Sequence, residues 1–373
     1  MNRIIHLPFY DKFTEQYIAF MKYHFDDKVR QSFIVRKNDD KYSIGEGRNI
    51  IKIAEYKELK TDPRIRKRLL AADKIIISGN FPFENYVKYL PPSVWKKVYI
   101  QFWGADLYLY RDGKGLKFTA ARMIMRFLVK TGTGVINLID EDYRQFEKIF
   151  CRVPEAKHFV AGVPNDPLKK DNFSEFWPAM ANEASDSNNT ENGKLSATYR
   201  ILVGNAAYPE NQHKEAFEII RDMKQREGFE GIRVEAVVPL SYGDDAFKEE
   251  VMRFGREILG DSFVPVTDYM AKPDYIRFIA GCDMAIFNNN RQQALGNICI
   301  MMNLGRKVFI RDDTPMWDYF LGRGYFVYNI KDFKNASPEE LFTLPKDALM
   351  KNIHEQEERA GEDLRDWKNI LLK

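Results

Sequence analysis

The chain has 373 residues, 57 Lys+Arg against 54 Asp+Glu for a formal charge of +3, with 45% hydrophobic and 14% aromatic residues. At about 150 residues per domain this length predicts two domains, each with enough apolar residues for a core, which excludes a globally disordered chain. The near-neutral balance lacks the basic excess that phosphate-backbone binding needs, so nucleic acid is not an expected partner. No run reaches the ~18 apolar residues of a membrane span, and the apolar stretch before Pro8 is too short for a signal peptide. Cys151, Cys282 and Cys299 have neither disulfide-framework nor zinc-ligand spacing. The expectation is a soluble α/β enzyme of a reducing compartment.

In chain order, short β-branched runs at 3–7, 32–36, 49–54, 74–78, 98–103, 134–138 and 157–161 read as strands. Helical patterns at 62–72, 116–130 and 140–150 alternate with them. A polar stretch at 181–198 has no periodicity and reads as a linker between domains at 1–180 and 199–344. Beyond it, strands at 199–204, 232–238, 262–266, 283–287 and 307–311 alternate with helices at 211–227, 244–259, 273–280 and 294–304. The segment 345–373 is a charged amphipathic helix with Trp367, Ile370 and Leu371 to bury. Strands separated by helices of this length imply βαβ units and parallel sheets. Two such Rossmann-like halves predict a ligand cleft beyond the carboxyl ends of the strands.

Neither the dinucleotide-binding glycine fingerprint nor a P-loop occurs, so an NAD oxidoreductase has no direct support. A different anion site is predicted. The strand at 283–287 closes on Asn288-Asn289-Asn290, then Arg291-Gln292-Gln293, and a helix begins near Gly296 and Asn297. Free backbone N–H groups at 296–298 and the Arg291 guanidinium can clamp a diphosphate there. The alternative is a loop with a surface arginine and a packing glycine. In the other turn, Gly204 lets the backbone approach a ligand, Asn205 can bond it, and His213 opens the next helix toward the same place. His213 also reads as an ordinary helix-start residue. The segment 113–130 carries Lys114, Lys117, Arg122, Arg126 and Lys130, no acid, and an apolar face of Leu116, Met123, Phe127 and Leu128. Such a helix can lie on an anionic membrane, or it can be a crossover helix with a solvated basic side. Arg64-Ile65-Arg66-Lys67-Arg68 can add to the same face.

The string Gln101-Phe102-Trp103-Gly104-Ala105-Asp106-Leu107-Tyr108 resembles a signature of the bacterial TDP-N-acetylfucosamine:lipid II N-acetylfucosaminyltransferases, glycosyltransferase family 56. Similar to that family, in order, are the segment 201–205 with Asn211 and His213, the segment 238–242 ending in Tyr242, Arg291-Gln292-Gln293 with Gly296, and Arg311 with Pro315-Met316-Trp317. The resemblance covers roughly 70–330, and more weakly the chain from Ile4-Ile5-His6. It implies a GT-B glycosyltransferase, with two facing Rossmann-like domains, the donor on the C-terminal one, and a C-terminal helix crossing back. The implied reaction moves 4-acetamido-4,6-dideoxygalactose from its thymidine diphosphate ester to a polyprenyl-diphosphate glycan at the inner face of the cytoplasmic membrane.

On that resemblance Thr267 and Met270 fall where the base and ribose would be cradled, and Gln292 and Gln293 where a ribose- or sugar-binding Glu is common. Asp106 is the first expected general base and His6 the second. Their structural alternatives are a turn carboxylate and a satisfied core histidine. Trp103, Tyr108 and Trp317 are expected to stack on sugar or base. The D-x-D pattern of Asp140-Glu141-Asp142 reads as a helix start, so the reaction is expected to be metal-independent and to use no cofactor. The expected partners are a nucleotide-sugar donor, a lipid-linked glycan and an anionic membrane surface. An epimerase of the same fold and a non-catalytic sugar-nucleotide-binding protein are the alternatives.

Overall fold

Apolar strands covered on both faces set the architecture. The computed structural model describes residues 1–37, 42, 44–79, 83–162 and 198–373, and the expected linker at 181–198 lies, except for Thr198, outside them. The chain divides into two units, Met1–Asp166 with Arg359–Lys373, and Pro167–Glu358.

In the first unit the strands are β1 Arg3–Pro8, β2 Arg30–Arg36, β3 Ile50–Ile53, β4 Lys74–Ser78, β5 Val98–Gln101, β6 Gly134–Asn137 and β7 His158–Val160. They pair in the order β3-β2-β1-β4-β5-β6-β7, all parallel. Ile75, Ile76 and Ile77 in β4 are wholly buried, as a central parallel strand with helices on both faces requires. The helix Pro63–Ala71 starts where Pro63 presets the first turn and the Asp62 carboxylate accepts from the N–H groups of Arg64 and Ile65. The run expected as strand over 98–103 leaves the sheet at Gln101. Gly104 then adopts φ +99° and turns the chain into the helix Ala105–Asp112, which strand periodicity does not mark.

The helix Lys346–Leu372 belongs to the second unit up to Glu358 and to the first from Arg359. Its last turns complete the first unit's core. Trp367, Ile370 and Leu371 are buried with Tyr17, Phe25 and Phe33, and the indole Nε1–H donates to Gly162 O at 3.0 Å.

The second unit contains β8 Thr198–Val203, β9 Arg233–Pro239, β10 Phe263–Val266, β11 Met284–Phe287, β12 Lys307–Ile310 and β13 Tyr328–Asn329. They form a parallel sheet ordered β10-β9-β8-β11-β12-β13. The short β13 has no counterpart among the sequence expectations. Phe217, Ile220, Val234, Ala236, Ile286 and Phe309 are central to its core. In each unit the strand order reverses once, between β1 and β4 and between β8 and β11. At these points the connections diverge to opposite faces and leave the strand ends open to a ligand.

Candidate functional site

In the second unit the turn after β8 is built around Gly204, whose φ is +66°. A Cβ there would stand 2.7 Å from Asn211 Oδ1 and 3.0 Å from His213 Nε2, so only glycine fits. The same Asn211 oxygen accepts from Asn205 N at 2.9 Å, and Asn205 Nδ2 donates to the Tyr242 hydroxyl at 2.8 Å. Tyr242 in turn accepts from Ala207 N through its carbonyl. The structure therefore brings Gly204, Asn205, His213 and Tyr242 together.

On the β11 side, Arg291 is buried, with Nη1 donating to Gln292 O at 3.0 Å and Nε 3.5 Å from Glu210 Oε1. Glu210 O also accepts from Asn290 N, which ties the two turns to each other. Ala294 takes a left-handed conformation, φ +61°, ahead of the helix Leu295–Asn303. Ile298 N already donates to Ala294 O at 2.9 Å. The N–H groups of the open helix start are therefore those of Leu295, Gly296 and Asn297, one residue earlier than the sequence suggests. The Asn297 amide donates to the Tyr275 hydroxyl, and Gln293 N to Met316 Sδ.

Several buried side chains here carry atoms with no hydrogen-bond partner among the described residues. They are Asn205 Oδ1, Asn211 Nδ2, both ring nitrogens of His213, Asn288 Oδ1, both amide atoms of Asn289, and Oε1 of Gln292 and Gln293. Leaving such groups unsatisfied costs roughly 1–3 kcal/mol each, and their concentration at one strand reversal makes this turn the candidate site of the second unit. Burial pulls the His213 pKa down to about 4, so the ring is neutral at physiological pH and presents one donor and one acceptor. Asn211, Asn288 and Asn289 were not assigned roles from sequence. The available signal was an apolar strand closing on three consecutive asparagines.

The remaining candidates in this unit are carried by other elements. Thr267 is exposed and Met270 half-buried in the loop after β10, the edge strand two places from the reversal. Trp317 is half-buried in the helix Pro315–Gly322, which follows β12.

In the first unit three expectations are corrected. Asp106 is fully buried and its Oδ1 accepts from Trp103 N at 2.8 Å, closing the start of its own helix, so it is a turn carboxylate. His6 is fully buried, with Nδ1 2.8 Å from the Tyr17 hydroxyl, Nε2 3.0 Å from Gln31 Oε1, and the ring stacked on Phe33. Burial lowers its pKa to about 3, and both nitrogens are engaged, which fits a core histidine and not a proton acceptor. Tyr108 is buried too and donates to Asp142 Oδ1 at 2.8 Å, so its ring is part of the core. That bond also occupies the D-x-D segment, which forms the first turn of the helix Asp140–Ile149. Trp103 remains half-buried, its Nε1–H donating to Ser78 Oγ and its ring 5.5 Å from Phe13. Asn137, at the end of β6, is buried with neither amide atom bonded among the described residues.

The basic helix spans Leu116–Lys130. Leu116, Met123, Ile124 and Phe127 are exposed, whereas Leu128 is buried against the core and leaves the expected face. Arg122 donates to the carbonyls of Tyr110 and Gly113, and Arg126 to those of Phe150 and Ile149. These arginines hold neighbouring chain ends in place, which a reading of them as free surface cations does not include. Lys117 is exposed, 3.0 Å from Glu84. No described helix is long and apolar enough to cross a membrane.

Residues 22–335 match a family model described as 4-alpha-L-fucosyltransferase glycosyl transferase group 56. Among solved structures, the N-terminal domain of Candida albicans trehalose-6-phosphate phosphatase is 10% identical at a TM-score of 0.62, over 100% of this chain and 97% of that one. A glycosyltransferase from Rickettsia africae is 12% identical at 0.61, over 99% and 98%. An alpha,alpha-trehalose 6-phosphate synthase from Burkholderia multivorans is 10% identical at 0.61, over 99% and 97%. At such identities the likeness is one of fold, and the fold is GT-B.

Proposed function

We infer that this chain, which belongs to glycosyl transferase group 56 and is a glycosyltransferase, moves a 4-acetamido-deoxyhexose-type sugar from a thymidine diphosphate donor to a polyprenyl-diphosphate glycan. The observation that carries the donor site is the set of buried, unpartnered amide and imidazole groups around Gly204, with Arg291 beside it. A nucleotide diphosphate sugar offers many hydroxyl and carbonyl groups and one concentrated charge. The site answers with neutral amides, a neutral imidazole, one arginine and the open N–H groups of Leu295, Gly296 and Asn297.

When the bond from the anomeric carbon to the diphosphate breaks, negative charge develops on the leaving oxygen. Arg291 and the helix start stabilise it in this reading, as donors fixed before the reaction. In this reading Thr267 and Met270 serve the base and ribose, and Trp317 the donor sugar.

The exposed Leu116, Met123, Ile124 and Phe127, bordered by Lys114, Lys117 and Lys130, support docking of the first unit on an anionic membrane. A lipid-linked acceptor is confined to such a surface.

Calorimetric titration of TDP, UDP, GDP and NAD into the wild-type protein and Arg291→Ala tests the donor reading. TDP is expected to bind most tightly and to lose about tenfold or more in the variant, the worth of a charge-assisted pair. Unchanged TDP affinity in Arg291→Ala, or no preference for TDP, overturns it.

A further inference from the structure

One side chain at the strand reversal of the second unit has its hydrogen-bonding polarity fixed by the fold. Asn205 and Asn288 stand two residues past Val203 and Ile286, the last pair of the β8–β11 register. Asn288 is 1% exposed, and its Nδ2 donates to Glu215 Oε2 at 2.9 Å and to Gln212 O at 3.3 Å. Both partners, a carboxylate and a backbone carbonyl, can only accept. Turning the amide over would set an oxygen against each of them, so Nδ2 faces Glu215 and Oδ1 is the atom left on the other side.

Glu215 is itself held. It lies in the first turn of the helix His213–Lys224, and the same Oε2 accepts from Arg311 Nη1 at 2.8 Å. Arg311 is gripped from its other edge by Asp313, Nε to Oδ1 at 2.9 Å and Nη2 to Oδ2 at 2.8 Å. The fork fixes the guanidinium, the guanidinium fixes the carboxylate, and the carboxylate fixes the amide. Asn288 Oδ1 is left as a buried acceptor with no partner among the described residues. A second fixed amide has the opposite sense: Asn211 Oδ1 accepts from the backbone N–H of Asn205, so its unpartnered Nδ2 is a donor.

We propose that Asn288 is a specificity-determining residue for the transferred sugar, its Oδ1 accepting from a hydroxyl or the acetamido N–H of that sugar, with Glu215 as its positioning residue. The proposal rests on the donor reading above and adds which part of the donor this amide reads. A diphosphate ester carries no proton at neutral pH, so it offers acceptors only and cannot satisfy Oδ1. Its charge suits Arg291 and the N–H groups of Leu295, Gly296 and Asn297 instead. A pyranose ring supplies the donors that the diphosphate lacks.

Such an acceptor discriminates by what it refuses. A sugar with a donor at this point exchanges its bond to water for a bond to Oδ1. An analogue without that donor leaves the acceptor buried and unmet, which costs more than a missed apolar contact. Thymine and ribose also carry donors, and the affinity for TDP alone separates them from the sugar.

The test is calorimetry with TDP, with TDP-4-acetamido-4,6-dideoxygalactose as the parent ligand, and with three analogues of it that lack the donor at C2, C3 or C4 in turn. For the wild type, one analogue is expected to bind about tenfold or more weakly than the parent. Asn288→Ala is expected to lose about tenfold in affinity for the parent, to keep TDP affinity within about twofold, and no longer to distinguish that analogue. Glu215→Gln, which can meet the Asn288 amide in either orientation, should shrink the same ratio without changing TDP affinity. Equal binding of the parent and all three analogues by the wild type overturns the proposal without need of any variant. So does a TDP affinity in Asn288→Ala that falls as far as the parent's, because Oδ1 would then face the nucleoside. An undiminished ratio in Glu215→Gln overturns the positioning role. A wild type that binds no TDP overturns the donor reading instead.

Discussion

His213 Nε2 stands directly behind Gly204, 3.0 Å from where a side chain on that glycine would begin. The glycine and the imidazole therefore define one surface, and neither can change alone. Gly204→Ala puts a methyl group against Asn211 and His213 and holds alanine at φ +66°, a conformation that costs roughly 1–2 kcal/mol by itself. The variant should lose about tenfold or more in TDP affinity by calorimetry, together with some urea stability. Full TDP affinity in a correctly folded variant would mean that the ligand sits away from this turn.

Acid stability follows from two buried imidazoles. Burial depresses His6 to about 3 and His213 to about 4, from 6.5 in the unfolded chain. The unfolded state takes up these protons first, so their contribution is complete above pH 6.5 and is lost as pH falls toward 4 and below. The loss is on the order of 3 kcal/mol per imidazole by about pH 4.5. Asp11, raised to about 6, acts with the opposite sign between 3.8 and 6 and offsets part of it. Urea midpoints measured from pH 7.5 to pH 4.5 should fall steadily. His6→Gln should start lower, having lost the stack on Phe33, and decline less. An equal decline in that variant would show that His6 is not the titrating group.

Trp367 is the largest fully buried side chain near the end of the chain. Trp367→Ala removes its packing against Tyr17 and its bond to Gly162 O, and should destabilise the first unit by ~3–5 kcal/mol. Urea unfolding followed by near-ultraviolet circular dichroism measures the shift. A loss below 1 kcal/mol would show that the terminal turns are dispensable to that core.

For the membrane face, the exposed side chains and the tethered arginines make different predictions. Replacing Met123 and Phe127 by Ser removes apolar contact area without touching a hydrogen bond, so binding to vesicles of anionic lipid should drop while the thermal midpoint holds. Arg126→Glu should lower the midpoint, because the guanidinium holds the carbonyls of Ile149 and Phe150. Vesicle binding that survives the double serine variant would remove this face from the membrane reading.

Much of the architecture is legible in the chain because it is local. A strand such as Lys74–Ser78 is a run of β-branched residues, and the helix Leu116–Lys130 follows from apolar periodicity without an interrupting Pro. Likewise, the turn at Gly204 and the arginine at 291 stand at strand ends that hydrophobic runs alone locate. The assignments that changed depend on distant partners. Whether His6 is a base or a core residue is decided by Tyr17 and Gln31, and whether Tyr108 faces a ligand or the core by Asp142, 34 residues on. Burial sets the chemistry of a polar side chain, and burial is a property of what packs over it. The sequence by itself determined the alternation of strands and helices and the places where chains turn back. Only the tertiary structure decided which polar groups at those turns are spent on the fold, as Asp106 is, and which are buried with no partner among the described residues, as His213 and Asn289 are.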